Sequence, residues 1–263
     1  MHNFNYQRPG SVADAVKALG SAGDGKIVAG GMTLVPTLKQ RLAAPSDLID
    51  LGAIADLKGI KAEGDGVTIG AMTRHVDVAT SALVKSTIPA LAHLAEGIGD
   101  RQVRNRGTIG GSLANNDPAA DYPAAALALG ATIRTNKREI AADAFFKGMF
   151  DTALEEGEII TAVHFPKPEK AAYQKFAQPA SRYALVGVFV AKTKGGVRVA
   201  VTGGGNGVFR SQELEAALAA NFTPQAAKAV KLNAGDFSGD LHGTPEYRAS
   251  LVVTMAARAV QAS

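Results

Sequence analysis

Two glycine pairs constrain this chain more than any other feature of its sequence. Gly30-Gly31 follows a short apolar run and precedes residues 33–42, which have the pattern of a helix capped by Thr33. Gly110-Gly111, 80 positions later, lies in a segment of small polar residues before an alanine-rich run. Glycine lets a backbone or a ligand approach closely because it has no Cβ. Consecutive exposed amides in such a turn bind anions, typically phosphate. We therefore expect two loops that grip one large phosphate-bearing ligand from two sides.

Several classes of protein are disfavoured by the composition. No apolar run reaches the roughly 18 residues that a membrane helix needs, and the first eight residues lack the apolar core of a secretory signal. The chain has no cysteine, which excludes disulfides, thiolate zinc sites and iron–sulfur clusters held by its own residues. Its five histidines lack the spacing of a zinc-binding helix. We expect a cytoplasmic chain that is not transmembrane and binds no metal itself.

The charge of the chain argues against a nucleic-acid partner. The net charge is +4, and the basic residues are scattered through the sequence. A nucleic-acid surface would bring them together in a stripe with interleaved aromatic residues. The charge instead suits anionic ligands or an acidic partner.

Three regions with different patterns predict an α+β fold. Residues 1–55 have the pattern of a small β-α-β lobe, and residues 56–168 that of strands with short intervening helices. Within the second region, residues 100–106 are expected to be a basic linker. A proline-rich boundary precedes residues 169–263, which have the pattern of a three-stranded antiparallel meander followed by helices.

Few side chains in the sequence suggest chemistry. Asp117 and Asp121 are either an acid–base pair or, with Pro118 between them, a turn cap and an acceptor for ligand hydroxyls. Tyr183 opens a strand pattern, where a core position is expected. Residues 203–207 are rich in glycine but follow a hairpin strand, which predicts only a turn. The residues alone thus predict a backbone-based site for a diphosphate ligand and no catalytic residues.

Several motifs together resemble the FAD-binding medium subunit of molybdenum hydroxylases, the family of the carbon monoxide dehydrogenase medium chain and the xanthine dehydrogenase flavin domain. They are residues 29–34 followed by Pro36 and Lys39, residues 108–112, and residues 117–121. The resemblance covers nearly the whole chain and is weaker in the last 90 residues or so. It implies a two-lobed FAD-binding fold of the vanillyl-alcohol oxidase type. A C-terminal domain with an antiparallel sheet and helices would follow.

The resemblance also implies a set of cofactor-binding residues. They are Ala29, Gly30, Gly31, Met32, Thr33, Leu34, Thr108, Ile109, Gly110, Gly111, Ser112, Asp121, Ile160 and Tyr183. By this likeness the two glycine segments hold the pyrophosphate, and Asp121 binds FAD hydroxyls. Ile160, with Ile98, lines the cofactor, and Tyr183 lies beside the isoalloxazine.

This chain departs from the family pattern at three places. Met32 stands where His or Gln is common, and Arg182 stands where an acidic residue usually precedes the tyrosine. Gln178-Pro179 replaces a basic pair. The last two departures concern the surroundings of the flavin ring.

As a function, the resemblance implies an FAD-carrying electron-transfer subunit. A small partner would carry two [2Fe–2S] clusters, and a large partner the molybdenum cofactor, in a dimer of heterotrimers. Electrons would leave to a quinone, NAD⁺ or oxygen. The lack of cysteine agrees with clusters held by another chain. The alternatives are a stand-alone flavin-dependent oxidoreductase of the same fold and a flavin-free nucleotide-binding module. The substrate belongs to the molybdenum subunit and is not encoded here.

Overall fold

A computed structural model describes all residues from 1 to 263. Its strands are β1 Asn5–Gln7, β2 Gly25–Val28, β3 Asp47–Asp50, β4 Ile60–Glu63, β5 Gly66–Gly70, β6 Thr132–Thr135, β7 Glu139–Ala141, β8 Phe146–Gly148, β9 Asp151–Thr152, β10 Ile160–Phe165, β11 Lys170–Ala177, β12 Ala184–Thr193, β13 Gly196–Thr202 and β14 Phe209–Arg210. Its helices are α1 Val12–Ser21, α2 Leu34–Lys39, α3 His75–Thr80, α4 Ala82–Thr87, α5 Pro89–Glu96, α6 Arg101–Arg106, α7 Ile109–Asn115, α8 Tyr122–Leu129, α9 Ala142–Phe145, α10 Gln212–Ala220, α11 Pro224–Ala229 and α12 Pro245–Ala262.

The N-terminal sheet has three parallel strands in the order β1-β3-β2. Helix α1 connects two of them and begins where the Ser11 hydroxyl accepts a hydrogen bond from the Asp14 N–H at 3.1 Å, which confirms the predicted cap. Its buried Ala15 belongs to the same small apolar cluster as Ile49 of β3. Strand β2, at one edge of this sheet, ends at Val28, and one residue separates it from the first glycine pair.

The central sheet has five antiparallel strands in the order β4-β5-β10-β6-β7. Helix α8 contributes to the same apolar core as this sheet and packs against β12 and β13, and all eight of its residues are buried. A helix that is apolar on every side is typical of such an interior position. This core fixes the position of α7, which precedes α8 and contains the second glycine pair.

The C-terminal sheet has four antiparallel strands in the order β11-β12-β13-β14. One of its sides packs against the long helix α12 through residues such as Val188 and Val252. The other side contributes Tyr173, Phe189 and Ala200 to the same apolar cluster as α8. Helices combined with mainly antiparallel sheets confirm the predicted α+β class. No helix has both the length and the apolar character needed to cross a membrane.

Two of the predictions of local secondary structure were wrong. Residues 100–106, expected to be a linker, contain α6, because the Asp100 carboxylate caps the helix by accepting from the Val103 N–H at 3.1 Å. The second glycine pair, expected in a loop, lies in the first turn of α7, whose N-cap is Thr108. The threonine cap and the packing of α7 outweigh the low helix propensity of glycine.

Candidate functional site

A cavity of about 620 Å³ lies where residues that follow the N-terminal sheet meet the central region and residues 181–183. This volume is in the range of small-molecule and cofactor sites. Among the predicted site residues, it is lined by Ala29, Gly30, Gly31, Met32, Thr33, Leu34, Thr108, Gly110, Gly111, Ser112, Asp121, Ile160 and Tyr183. Ile98 lines it as well. Ile109 does not, because it is buried in the central core.

The first glycine segment lines this cavity and has free backbone donors. Gly30, Gly31, Met32 and Thr33 lie between β2 and α2, and their N–H groups have no acceptor within the chain. Gly31 has a φ of +73°, a conformation that glycine adopts without steric cost. Four consecutive amides without protein acceptors are suited to bind an anion. The Thr33 hydroxyl does not cap α2, contrary to expectation, because the Thr33 backbone is already helical.

The second glycine segment differs from the expectation of a second set of free amides. The N–H groups of Ile109 and Gly110 donate to the carbonyls of Thr73 and Ala71, at 3.1 and 2.8 Å. Those of Gly111 and Ser112 donate to Thr108, at 3.2 and 3.0 Å. The second pair therefore contributes close packing, and the anion-binding amides come mainly from the first.

Gly110 and Gly111 face different neighbours. A Cβ placed on Gly110 would lie 2.6 Å from the Cβ of Ala71, so this glycine lets α7 approach the segment that follows β5. A Cβ on Gly111 would lie 3.3 Å from the Cβ of Ala29, in the first glycine segment. Helix α7 thus packs against the central region through one glycine and against the first glycine segment through the other.

Asp121 is a buried carboxylate at the cavity. Its Oδ1 accepts from the Tyr173 hydroxyl at 2.5 Å, and the Lys175 Nζ lies 3.0 Å from the same oxygen. Lys175 also donates to the Gly97 carbonyl at 2.9 Å. Burial raises the pKa of Asp121, whereas the Lys175 charge and the two hydrogen bonds oppose this rise. Two side chains of β11 thus hold the Asp121 carboxylate in one orientation. A fixed carboxylate of this kind can accept hydrogen bonds from the hydroxyls of a ligand.

Asp117 forms the turn cap that one interpretation predicted. Its carboxylate accepts from the Ala119 N–H at 2.9 Å. The partners of Asp121 were missed by the sequence reasoning, since Tyr173 and Lys175 lie more than 50 positions away in an ordinary strand pattern. The one signal in the sequence for these partners was Lys175, a charged residue within a mostly apolar strand pattern.

Tyr183 is not a core residue, contrary to expectation. It precedes β12 in a loop closed by the Gln178 N–H, which donates to the Tyr183 carbonyl at 2.9 Å. Its side chain is 48% exposed and lines the cavity. Partial burial and the nearby carboxylates of Asp117 and Asp121 raise the pKa of its hydroxyl. Arg182 beside it has a φ of +60° and packs against Gly99.

Two further residues at the cavity were not predicted from the sequence. His75 is buried, its Nδ1 has no hydrogen-bond partner, and burial together with the Arg104 charge lowers the pKa of its imidazole to about 4. Phe150 lines the cavity with a largely exposed ring. Neither belongs to a motif that sequence patterns single out.

The fold and the cavity suit a protein that takes a phosphate-bearing cofactor between a parallel N-terminal sheet and a larger α+β region. Residues 2–168 match the family described as the FAD-binding domain in molybdopterin dehydrogenase. The chain belongs to this family, and it is an FAD-binding oxidoreductase subunit.

Relatives and solved structures resemble the chain over most of its length. The carbon monoxide dehydrogenase medium chain of Hydrogenophaga pseudoflava is 36% identical, with 99% of this chain and 96% of the relative covered. The glyceraldehyde dehydrogenase medium chain of Sulfolobus acidocaldarius is 38% identical over 81% of this chain and 79% of the relative. A structure of carbon monoxide dehydrogenase from H. pseudoflava, lacking the Mo-pyranopterin moiety, matches with a TM-score of 0.90 and 37% identity, covering 99% of this chain and 96% of that one. Quinoline 2-oxidoreductase from Pseudomonas putida 86 matches with a TM-score of 0.88 and 28% identity over the same shares.

The residues at the cavity fit FAD. Four free amides in a row suit the oxygens of a diphosphate, and the Asp121 carboxylate suits hydroxyl donors. Ile98 and Ile160 add apolar surface. Donors, acceptor and apolar lining therefore occur together in one cavity.

Proposed function

We propose that this chain is the electron-transfer subunit of a multi-subunit molybdenum hydroxylase. It takes electrons from the [2Fe–2S] clusters of a small partner subunit and passes them to an external acceptor such as a quinone, NAD⁺ or oxygen. The observation that carries the proposal is the row of free amides from Gly30 to Thr33, in residues that line the same cavity as Asp121. This arrangement is what an extended dinucleotide with one diphosphate requires.

Each part of the cavity has a role in this proposal. The amides of the first glycine segment hold the diphosphate, and Asp121 accepts from cofactor hydroxyls. Ile98 and Ile160 contact apolar parts of the cofactor, and Tyr183 lies near the flavin ring. FAD supplies the redox chemistry when bound, while the protein supplies binding and tuning.

The names of the relatives support a proposal about the assembly. Relatives are named medium chains or medium subunits of a dehydrogenase or a hydroxylase, which supports association with other chains. The chain itself has no cysteine to hold a cluster. We propose a small iron–sulfur partner and a large molybdenum partner, assembled as a dimer of heterotrimers in the cytoplasm.

The test uses the complex isolated through a tag on this chain. The complex is reduced with dithionite, freed of excess reductant and mixed with a quinone, NAD⁺ or oxygen, before and after removal of its flavin. We expect iron and molybdenum to co-purify, and at least one acceptor to reoxidise the clusters only when FAD is present. Equal reoxidation without FAD would contradict the proposal. A chain that contains FAD but no iron or molybdenum would support the stand-alone oxidoreductase instead.

A further inference from the structure

Phe150 has an unusual backbone conformation for its residue type. It lies in the turn between β8 and β9, and its φ is +56°. A bulky L-residue rarely adopts this region, because its Cβ meets the neighbouring backbone. Glycine or asparagine occupies it at lower cost. The turn alone therefore does not explain a phenylalanine at this position.

One buried residue holds this turn in place. The Asn116 carbonyl accepts from the Phe150 N–H at 3.1 Å. The Asn116 Nδ2 donates to the carbonyls of Gly148 and Asp151, at 2.7 and 2.8 Å. Asn116 ends α7, the helix that contains the second glycine pair. The position of Phe150 is thus tied to the helix that packs against the first glycine segment.

The exposed ring of Phe150 lies at the cavity of the candidate site. The side chain is 57% exposed, yet it lines the cavity that contains the free amides and Asp121. Its neighbour Met149 is similarly exposed and does not line the cavity. Strained backbone persists where surrounding contacts impose it, and such positions cluster at ligand-binding sites. A phenyl ring at a cavity offers a face or an edge for a planar aromatic ring.

We propose that Phe150 stacks against an aromatic ring of the bound cofactor and that Asn116 holds it in position for this contact. The inference rests on the proposed FAD function and adds a binding residue to that site. The ring is either the flavin or the adenine, which share the same planar chemistry. The strained turn is kept because it presents this side chain.

The experiment compares Phe150→Ala, Phe150→Tyr and Phe150→Gly with the matched neighbour Met149→Ala. Each variant is prepared in the complex isolated through a tag on this chain and then freed of flavin. FAD binding is titrated by the change in flavin fluorescence. We expect Phe150→Ala and Phe150→Gly to weaken FAD binding about tenfold, and Phe150→Tyr to restore it. Met149→Ala should bind FAD within about twofold of the natural chain, since this residue lies outside the cavity.

Thermal unfolding is a second measurement, and in Phe150→Gly the unfolding temperature should not fall with the FAD affinity. Glycine suits a φ of +56°, so Phe150→Gly should unfold at the same or a higher temperature while binding FAD less tightly. If the role of Phe150 were purely structural, the substitution would lower both the unfolding temperature and the affinity for FAD. Parallel titrations with ADP, which carries the adenine, and with FMN, which carries the flavin, identify the ring that Phe150 contacts. Only the molecule that carries this ring should bind the variants less tightly.

Two results would overturn the inference. One is FAD binding by Phe150→Ala within about twofold of the natural chain. The other is a lower unfolding temperature together with weaker FAD binding in Phe150→Gly, which would make the role of Phe150 structural. Unchanged FAD binding with weakened subunit assembly would in addition make Phe150 a contact for a partner subunit. If the natural complex binds no FAD at all, the proposed function fails and this inference fails with it.

Discussion

Gly30 contacts Gly107 backbone to backbone. A Cβ placed on Gly30 would lie 2.2 Å from the carbonyl oxygen of Arg106 and 2.7 Å from the Cα of Gly107. No real Cβ tolerates such distances, so only glycine fits at position 30. The first glycine segment therefore touches the residues directly before the second segment. This contact places the free amides of the first segment beside the start of α7.

A methyl group at position 30 should separate the two segments. We expect Gly30→Ala to lower the free energy of unfolding by about 1–3 kcal/mol and to reduce bound FAD strongly, because the amides shift. Urea unfolding and the FAD-to-protein ratio measure the two effects. Gly10→Ala is the control, since a Cβ there would meet nothing within 4 Å. Full FAD content and natural stability in Gly30→Ala would show that the contact is unimportant.

The two glycines of α7 should differ in their response to alanine. Gly110→Ala forces a Cβ against the backbone and side chain of Ala71, so we expect a loss of about 2 kcal/mol or more in the free energy of unfolding. Gly111→Ala meets its nearest neighbour at 3.0 Å and should cost less, while disturbing FAD binding through Ala29. Chemical denaturation of both variants tests this order. The reverse order would contradict the packing described for α7.

Removing Lys175 should destabilise the protein strongly. Lys175→Met leaves the buried Asp121 carboxylate without its cation, at a cost of about 3–5 kcal/mol in the free energy of unfolding. Adding Asp121→Asn to this variant should restore part of the loss, since the uncompensated charge is removed. The four proteins form a double-mutant cycle measured in urea. Lys192→Met is the control, because its partner Glu169 is a surface residue. Strictly additive effects would exclude coupling between Asp121 and Lys175.

His75 should make the protein sensitive to mild acid. Burial and the Arg104 charge lower the pKa of its imidazole to about 4, from an ordinary value of 6.5. Between these values the unfolded chain binds a proton that the folded chain does not. The stability contributed by neutral His75 is therefore present above pH 6.5 and is lost as the pH falls towards 4.

His75→Gln should flatten the dependence of stability on pH in this window. Urea unfolding at a series of pH values measures it, and His93→Gln, at an exposed histidine of α5, is the control. An equal slope in the natural chain and in His75→Gln would show that His75 does not titrate as described.

The parts of the site that depend on local sequence could be predicted. The first glycine pair follows a strand and precedes a helix, and this order alone indicates an anion-binding turn. The Ser11 cap is equally local. The fold class follows from the order of helix and strand patterns along the chain.

The remaining features depend on contacts between distant residues. Thr108 starts a helix at the second glycine pair because Gly110 can pack against Ala71, 39 positions earlier. The orientation of Asp121 is set from β11, and the exposed ring of Phe150 is set by Asn116. Such contacts leave no periodic pattern in a single sequence.

The most direct measurement is the FAD content of the natural complex. The chain is tagged, isolated from its own cells with its partners and precipitated with acid, and the released FAD is quantified against the amount of this chain. We predict one FAD per chain, together with iron and molybdenum, and a large loss of FAD in Gly30→Ala. A natural complex that releases no FAD would contradict the central claim.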